Sequence, residues 1–379
     1  MEIIKEGYEK AVEVLSHCSK SSGFSASGLK GGYESLWARD SMIASLGASL
    51  ADTKFKETFE KSLALLSKHQ SDLGQIPNAV GDYNLDRKSR ITFNTVDSSL
   101  WYIIGHFVFS RSYKDSRLLK KYKKNLDRAF LWLKYQDPNE DGLLAQQPTM
   151  DWQDAFPHKY GRTINTHALY YAALNLSGRK KVAARVKKII NGETEKYLSL
   201  YDKKLGYYLP WAWKNHDGDR EQEEWFDTLG NLLAIITGLA TPKIALSIIG
   251  YIEKNKINKP YPCKAIYPPI KPGGKEWHSY FSKCLAKDPY SYSNAGIWPF
   301  IGGFYVAALI KIKDFKKAEK ELGNLAKADK LGKKAEWEFN EWLSGKTGQA
   351  GGVPFQAWSA GTFIYAAECL KNKKVLFFN

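Results

Sequence analysis

The chain has 379 residues, 44% of them hydrophobic and 25% charged, with a formal net charge of +16. That balance fits a globular protein with a large core and excludes a disordered chain. Four cysteines without C-x-x-C spacing, seven histidines with no i, i+4 pair, and no apolar run long enough to span a bilayer argue against a zinc or redox centre, a metal enzyme and a membrane span. Apolar residues recur at three- and four-residue intervals and predict helices over 2–20, 38–51, 54–69, 95–112, 116–135, 163–177, 178–196, 223–240, 242–256, 297–312, 314–328 and 357–371. Turn or helix-start residues at Ala51-Asp52-Thr53, Asp115, Ser177-Gly178 and Thr241-Pro242 join neighbours tightly.

Twelve helices joined in this way imply six antiparallel hairpins. The first member of each pair lines an inner ring and its partner packs outside, which makes an all-α, (α/α) toroid in a single domain over 1–379. The 223–240 helix is apolar around most of its circumference, through Trp225, Phe226, Leu229, Leu232, Leu233, Ile236 and Leu239, and suits the inner ring. The 314–328 helix carries Lys316, Lys317, Glu319, Lys320 and Glu321 and suits the outer one. Dispersed lysines of this kind occupy wet helix faces, and Lys120-Lys121-Tyr122-Lys123-Lys124 sits inside a helical pattern, so neither nucleic acid nor a membrane is the expected partner. The amino terminus has no apolar leader segment, and the expectation is a cytoplasmic protein with reduced thiols and no cofactor.

Between the helices lie long segments, 21–37, 71–94, 136–162, 257–296 and 329–356, rich in Trp, Tyr, Gly and Pro. Loops of that length in a compact domain are usually functional, and a toroid gathers them at one rim. Trp37-Ala38-Arg39-Asp40 enters a helix there. Arg39 with Asp40 can grip vicinal sugar hydroxyls or form a structural ion pair at a helix start. Asp97, in Thr95-Val96-Asp97-Ser98-Ser99-Leu100-Trp101, is open to the same two readings, with Thr95 a candidate N-cap.

In Met150-Asp151-Trp152-Gln153-Asp154 no apolar period explains either acid, and Asn340-Glu341-Trp342 sets a second carboxyl beside indole about 190 residues later. Two carboxyls beside aromatic faces are what glycosidic bond cleavage needs. One protonates the leaving oxygen and the other acts from the opposite face of the ring, while aromatic neighbours cover the sugar's C–H face and raise the pKa of an acid. Asn294, in Tyr292-Ser293-Asn294-Ala295-Gly296-Ile297-Trp298-Pro299, can offer an amide to a ligand or belong to the core with its aromatic neighbours. Gln356-Ala357-Trp358-Ser359 follows a paired glycine and enters the last helix. No phosphate-cradling glycine spacing occurs.

Taken in order, W-A-R-D, T-V-D-S-S-L-W, M-D-W, Y-S-N-A-G-I-W-P, N-E-W and Q-A-W-S-A resemble the motif series of the (α/α) toroid glycoside hydrolases. The C-terminal half resembles the neutral/alkaline invertases. The N-terminal half is similar both to those invertases and to the amylo-α-1,6-glucosidase domains of glycogen debranching enzymes. The resemblance implies an inverting exo-glycosidase acting on sucrose or a related small saccharide, with Asp151 as general acid and Glu341 as general base. It places Arg39 and Asp40 on the sugar in the cleaved subsite and Asp97, Trp298, Gln356 and Trp358 on pocket positions, while Trp37, Trp152, Asp154 and Asn294, in the same motifs, are further candidate substrate-binding residues. The chain departs from the pattern at Asn165, where these families usually carry Glu, and at Ser293 and Ala295, where the invertases have His and Gly. An α-glucosidase of glucoamylase or debranching type, a sugar-binding protein without catalysis, and a basic helical protein that binds anions are the competing readings.

Overall fold

The computed structural model describes residues 2–81, 89–194, 197–214 and 219–378. Parts of two predicted segments, 82–88 in the loop 71–94 and 195–196 at the end of the helix 178–196, lie outside the described residues. Six helices form the inner ring: α2 (Ala38–Ala51), α4 (Asp97–Tyr113), α7 (Ile164–Leu176), α9 (Thr228–Thr237), α11 (Pro299–Lys311) and α13 (Ala357–Lys371). Each packs on the next and α13 returns to α2, so the ring closes. Outside it lie α1 (Glu2–Cys18), α3 (Lys56–Lys68), α5 (Arg117–Lys121), α6 (Lys123–Lys134), α8 (Lys180–Ile190), α10 (Pro242–Lys254) and α12 (Phe315–Lys330).

The division follows from residue type. The inner helix α11 (PFIGGFYVAALIK) is buried from Pro299 to Ile310, whereas outer α8 (KKVAARVKKII) buries only Ala183, Val186, Ile189 and Ile190, one face at helical spacing. Ring closure needs small residues where α2 and α13 cross, because a Cβ on Gly47 would stand 2.0 Å from the carbonyl oxygen of Gly361.

Three helices differ from expectation, the segment 178–196 being helical only over Lys180–Ile190 among the described residues. The segment 116–135 is broken at Tyr122, whose backbone (φ −103, ψ 21) leaves the helical region and separates α5 from α6. The segment 223–240 becomes helical only at Thr228, because Phe226–Asp227 pairs antiparallel with Ile266–Tyr267. That partner is some 40 residues away and leaves no local signal. The five predicted long segments enter α2, α4, α7, α11 and α13 at their N-termini, and Asp227 at the N-cap of α9 meets Lys159 of the 136–162 segment, so the six N-terminal ends share one rim. The partial positive charge of these ends favours carboxylates there. No helix among the described residues is long and apolar enough to cross a membrane.

Candidate active site

A narrow cavity opens at that rim. Its wall is aromatic on most sides, with Tyr33, Trp37, Trp152, Tyr292, Trp298 and Trp358, and its polar groups are Arg39, Asp40, Asp154, Glu341 and Gln356. The cavity between them is about 60 Å³. The wall is itself packed. Trp358 lies flat on Phe300 (centroids 4.2 Å apart, planes at 11°), and Trp152 stands edge-on to Trp298 and Phe300.

Arg39, in the first turn of α2, is the hub. Its guanidinium reaches Asp97 at 3.4 Å, Asp40 at 3.6 Å and Asp154 at 3.9 Å, and it lies over the Trp358 ring. Three carboxyls around one cation leave a net negative site. Among the described residues, Asp40 Oδ2, Arg39 Nε, Trp152 Nε1 and Trp358 Nε1 make no hydrogen bond. Such buried groups need partners, and in the wall of a cavity a sugar's hydroxyls can supply them.

Glu341 reaches the cavity from the loop before α13. The backbone N–H of Val353 donates to its Oε2 at 3.1 Å, an approach that Gly352 permits, since its φ is +69° and a Cβ there would stand 2.5 Å from the carboxylate. Burial pushes the Glu341 carboxyl up to about 7 against the pull of that N–H, and Asp40 and Asp154 push it further. Burial likewise raises Asp154 to about 6, opposed by Arg39 and reinforced by Asp40, Asp97 and Asp151, and it raises Asp40 to about 6 against Arg39. The rim therefore holds carboxyls that exchange protons near neutrality, as general acid and base chemistry requires.

Of the sequence-predicted residues, Trp37, Arg39, Asp40, Trp152, Asp154, Trp298, Glu341, Gln356 and Trp358 meet in this wall. Three do not. Asp151 is wholly buried and outside the wall; its Oδ2 lies 2.8 Å from the ammonium of Lys159, and its Oδ1 accepts the Gln153 N–H. A carboxyl sealed in that way cannot meet a leaving oxygen, and the expectation that Asp151 is the proton donor is corrected. Asp154, three residues on and 29% accessible, faces the cavity instead. Asn294 spends its amide on the backbone of Ile270 and Ala286 and shapes the loop rather than contacting a ligand. Asp97, fully buried behind Arg39, orients that guanidinium and takes no place in the wall.

Tyr33, in the segment 21–37, and Tyr292, inside the Tyr292–Pro299 motif, line the cavity without having been singled out. Asn165, in the first turn of α7, is buried, and neither of its amide atoms is hydrogen-bonded among the described residues. Among the described residues no group of three or more His, Cys, Asp or Glu could hold a metal ion.

The fold is an (α/α) toroid whose rim gathers acids and indoles. Residues 215–373 match the family model for alkaline and neutral invertase, and residues 11–207 match that for amylo-alpha-1,6-glucosidase. The second match covers more than half of the chain, and the chain belongs to the amylo-α-1,6-glucosidase family. Among curated relatives it is 29% identical to probable alkaline/neutral invertase A of Arabidopsis thaliana over 40% of this chain and 23% of that one. It is 33% identical to probable alkaline/neutral invertase D of the same plant over 44% and 30%. The matched stretch thus spans only about a quarter of the length of these relatives. The fold is similar to that of the GH63 mannosylglycerate hydrolase from Thermus thermophilus, with a TM-score of 0.68 at 15% identity, covering 94% of this chain and 99% of that one. A wild-type glycosidase of known structure is similar at a TM-score of 0.64 and 13% identity, covering 98% and 97%.

Proposed function

We propose that the protein is an inverting exo-glycosidase in which Asp154 protonates the leaving oxygen and Glu341 activates the attacking water. The observation that carries this reading is the meeting of these two carboxyls in one aromatic-walled cavity with Arg39 and Asp40 beside them. Arg39 with Asp40 would hold the hydroxyls of the sugar in the cleaved subsite, and the indoles of Trp152, Trp298 and Trp358 would cover its apolar face. Asp154 inherits the donor's role from the loop that the motif resemblance singled out, with the acid moved three residues along. Sucrose is the first candidate substrate, on the invertase match to the half of the chain that carries Glu341. An α-glucosidic oligosaccharide is the second, on the amylo-α-1,6-glucosidase match to the half that carries Arg39 and Asp154.

Incubation with sucrose, maltose, isomaltose, trehalose and kestose, followed by anomer-resolved NMR, tests the reading. Release of a monosaccharide with the anomeric configuration opposite to that of the substrate supports it, and retention of configuration refutes the mechanism. Binding by calorimetry with no product would favour a sugar-binding protein that has lost catalysis, a reading motivated by Asn165 standing where the related families carry Glu.

A further inference from the structure

The loop that brings Asp154 to the cavity is tied from beneath by one lysine. Lys159 is wholly buried, and its ammonium has three acceptors for three N–H bonds: Asp151 Oδ2 at 2.8 Å, Gln153 Oε1 at 2.7 Å and Asp227 Oδ2 at 3.2 Å. Two of these acceptors flank Trp152 and immediately precede Asp154. The third belongs to the N-cap of α9, where the other oxygen of Asp227 accepts the Gly230 N–H. The network continues from Asp151 through Gln146, whose Nε2 donates to Asp151 and whose Oε1 accepts the hydroxyls of Thr163 and Thr166 at the start of α7. The loop is thereby pinned to the N-termini of two neighbouring inner helices. A buried cation between two buried carboxylates is a costly device for holding a loop that apolar packing could hold.

We infer that the Asp151–Lys159–Asp227 triad is a positioning element for the reaction, in which Lys159 fixes Trp152 and Asp154 against the ends of α7 and α9. The inference rests on the assignment of Asp154 as proton donor. The donor must lie within about 3 Å of the oxygen it protonates, and a displacement of about 1 Å costs on the order of 10²-fold in rate. Asp151 therefore acts through its hold on the loop. An amide at position 151 has only one acceptor oxygen, which can serve either the Lys159 ammonium and Gln146 Nε2 or the Gln153 N–H. Asp151→Asn thus loosens the tie at Asp151 while Lys159 keeps Asp227 and Gln153.

The test compares Asp151→Asn and Lys159→Met with wild type in the full chain, using whichever of sucrose, maltose or isomaltose is hydrolysed fastest. For Asp151→Asn the expected result is a kcat about 10- to 100-fold lower with KM within about threefold. The limb of the pH profile set by Asp154 moves to lower pH, because the Asp151 charge is one of those that push Asp154 up. Lys159→Met, if it folds, loses more. If it does not, Asp151→Asn carries the test alone. A folded Asp151→Asn protein that melts earlier but keeps the wild-type kcat and pH profile overturns the inference and leaves the triad a scaffold. Asp154→Asn is measured alongside. Full activity in that variant overturns the donor assignment itself, a failure distinct from that of the triad.

Discussion

Two loops at the rim carry the same sequence device, a pair of acids three residues apart, and each divides the pair in the same way. In one loop Asp151 is sealed against Lys159 and Asp154 faces the cavity. In the other Glu338 accepts the backbone N–H groups of Lys333, Lys334 and Ala335, and Glu341 faces the cavity. The inner acid of each pair has its oxygens occupied by the chain that positions the loop. The outer acid keeps capacity for a ligand and has its pKa raised by burial, while the backbone donors hold Glu338 below the usual carboxylate range against the effect of burial. The contrast teaches that hydrogen-bond occupancy, rather than an aromatic neighbour, separates an acid tied into its loop from one open to a ligand.

The contrast makes predictions that differ in size. Glu341→Gln should lower kcat on the best saccharide by about 10²–10⁴-fold, whereas Glu338→Gln should stay within several-fold of wild type; steady-state kinetics on both variants decides. Stability should move the other way. The Glu341 carboxyl is raised from 4.5 to about 7 in the folded chain, so the folded state binds its proton more tightly than the unfolded state does. Its contribution is full below the unfolded pKa and is lost as pH rises through about 7. Replacing it with Gln should therefore stabilise the protein at pH 8 by on the order of 2–3 kcal/mol and leave it unchanged at pH 4, as read from urea unfolding at the two pH values. Glu338 has the opposite sign, with stabilisation present above the unfolded pKa and lost as pH falls through the folded one. Glu338→Gln should destabilise at pH 7 by about 1–3 kcal/mol. The smallest effect is on the wild-type pH profile. With Asp154 near 6 and Glu341 near 7, the productive form, Asp154 protonated and Glu341 ionised, is the minor of the two singly protonated forms, and kcat/KM should follow a bell with limbs near 6 and 7.

Much of this architecture was legible in the sequence. Three- and four-residue periodicity located the helices, short turns paired them, and the contrast between the apolar 223–240 segment and the lysine- and glutamate-rich 314–328 segment sorted inner from outer. The clustering of Trp, Tyr and acids in the loops located the rim. What periodicity could not reach was the choice within each acid pair. Asp151 is sealed by a lysine eight residues on that also binds Asp227, which belongs to a different helix, and such a contact exists only once the ring is closed. The same holds for Asn294, whose amide is consumed by backbone at 270 and 286, and for the start of α9, set by strand pairing with Ile266–Tyr267. Glu341 could be placed because it stands beside Trp342 in a loop leading to the last helix, though its partner in Val353 could not.

The most direct test of the central claim is the leaving-group dependence of Asp154→Asn. The account predicts that this variant loses about 10²–10⁴-fold on a disaccharide yet keeps most of its rate on α-glucosyl fluoride, whose departing fluoride needs no full proton transfer. Equal losses on both substrates, or wild-type hydrolysis of the disaccharide, would contradict it.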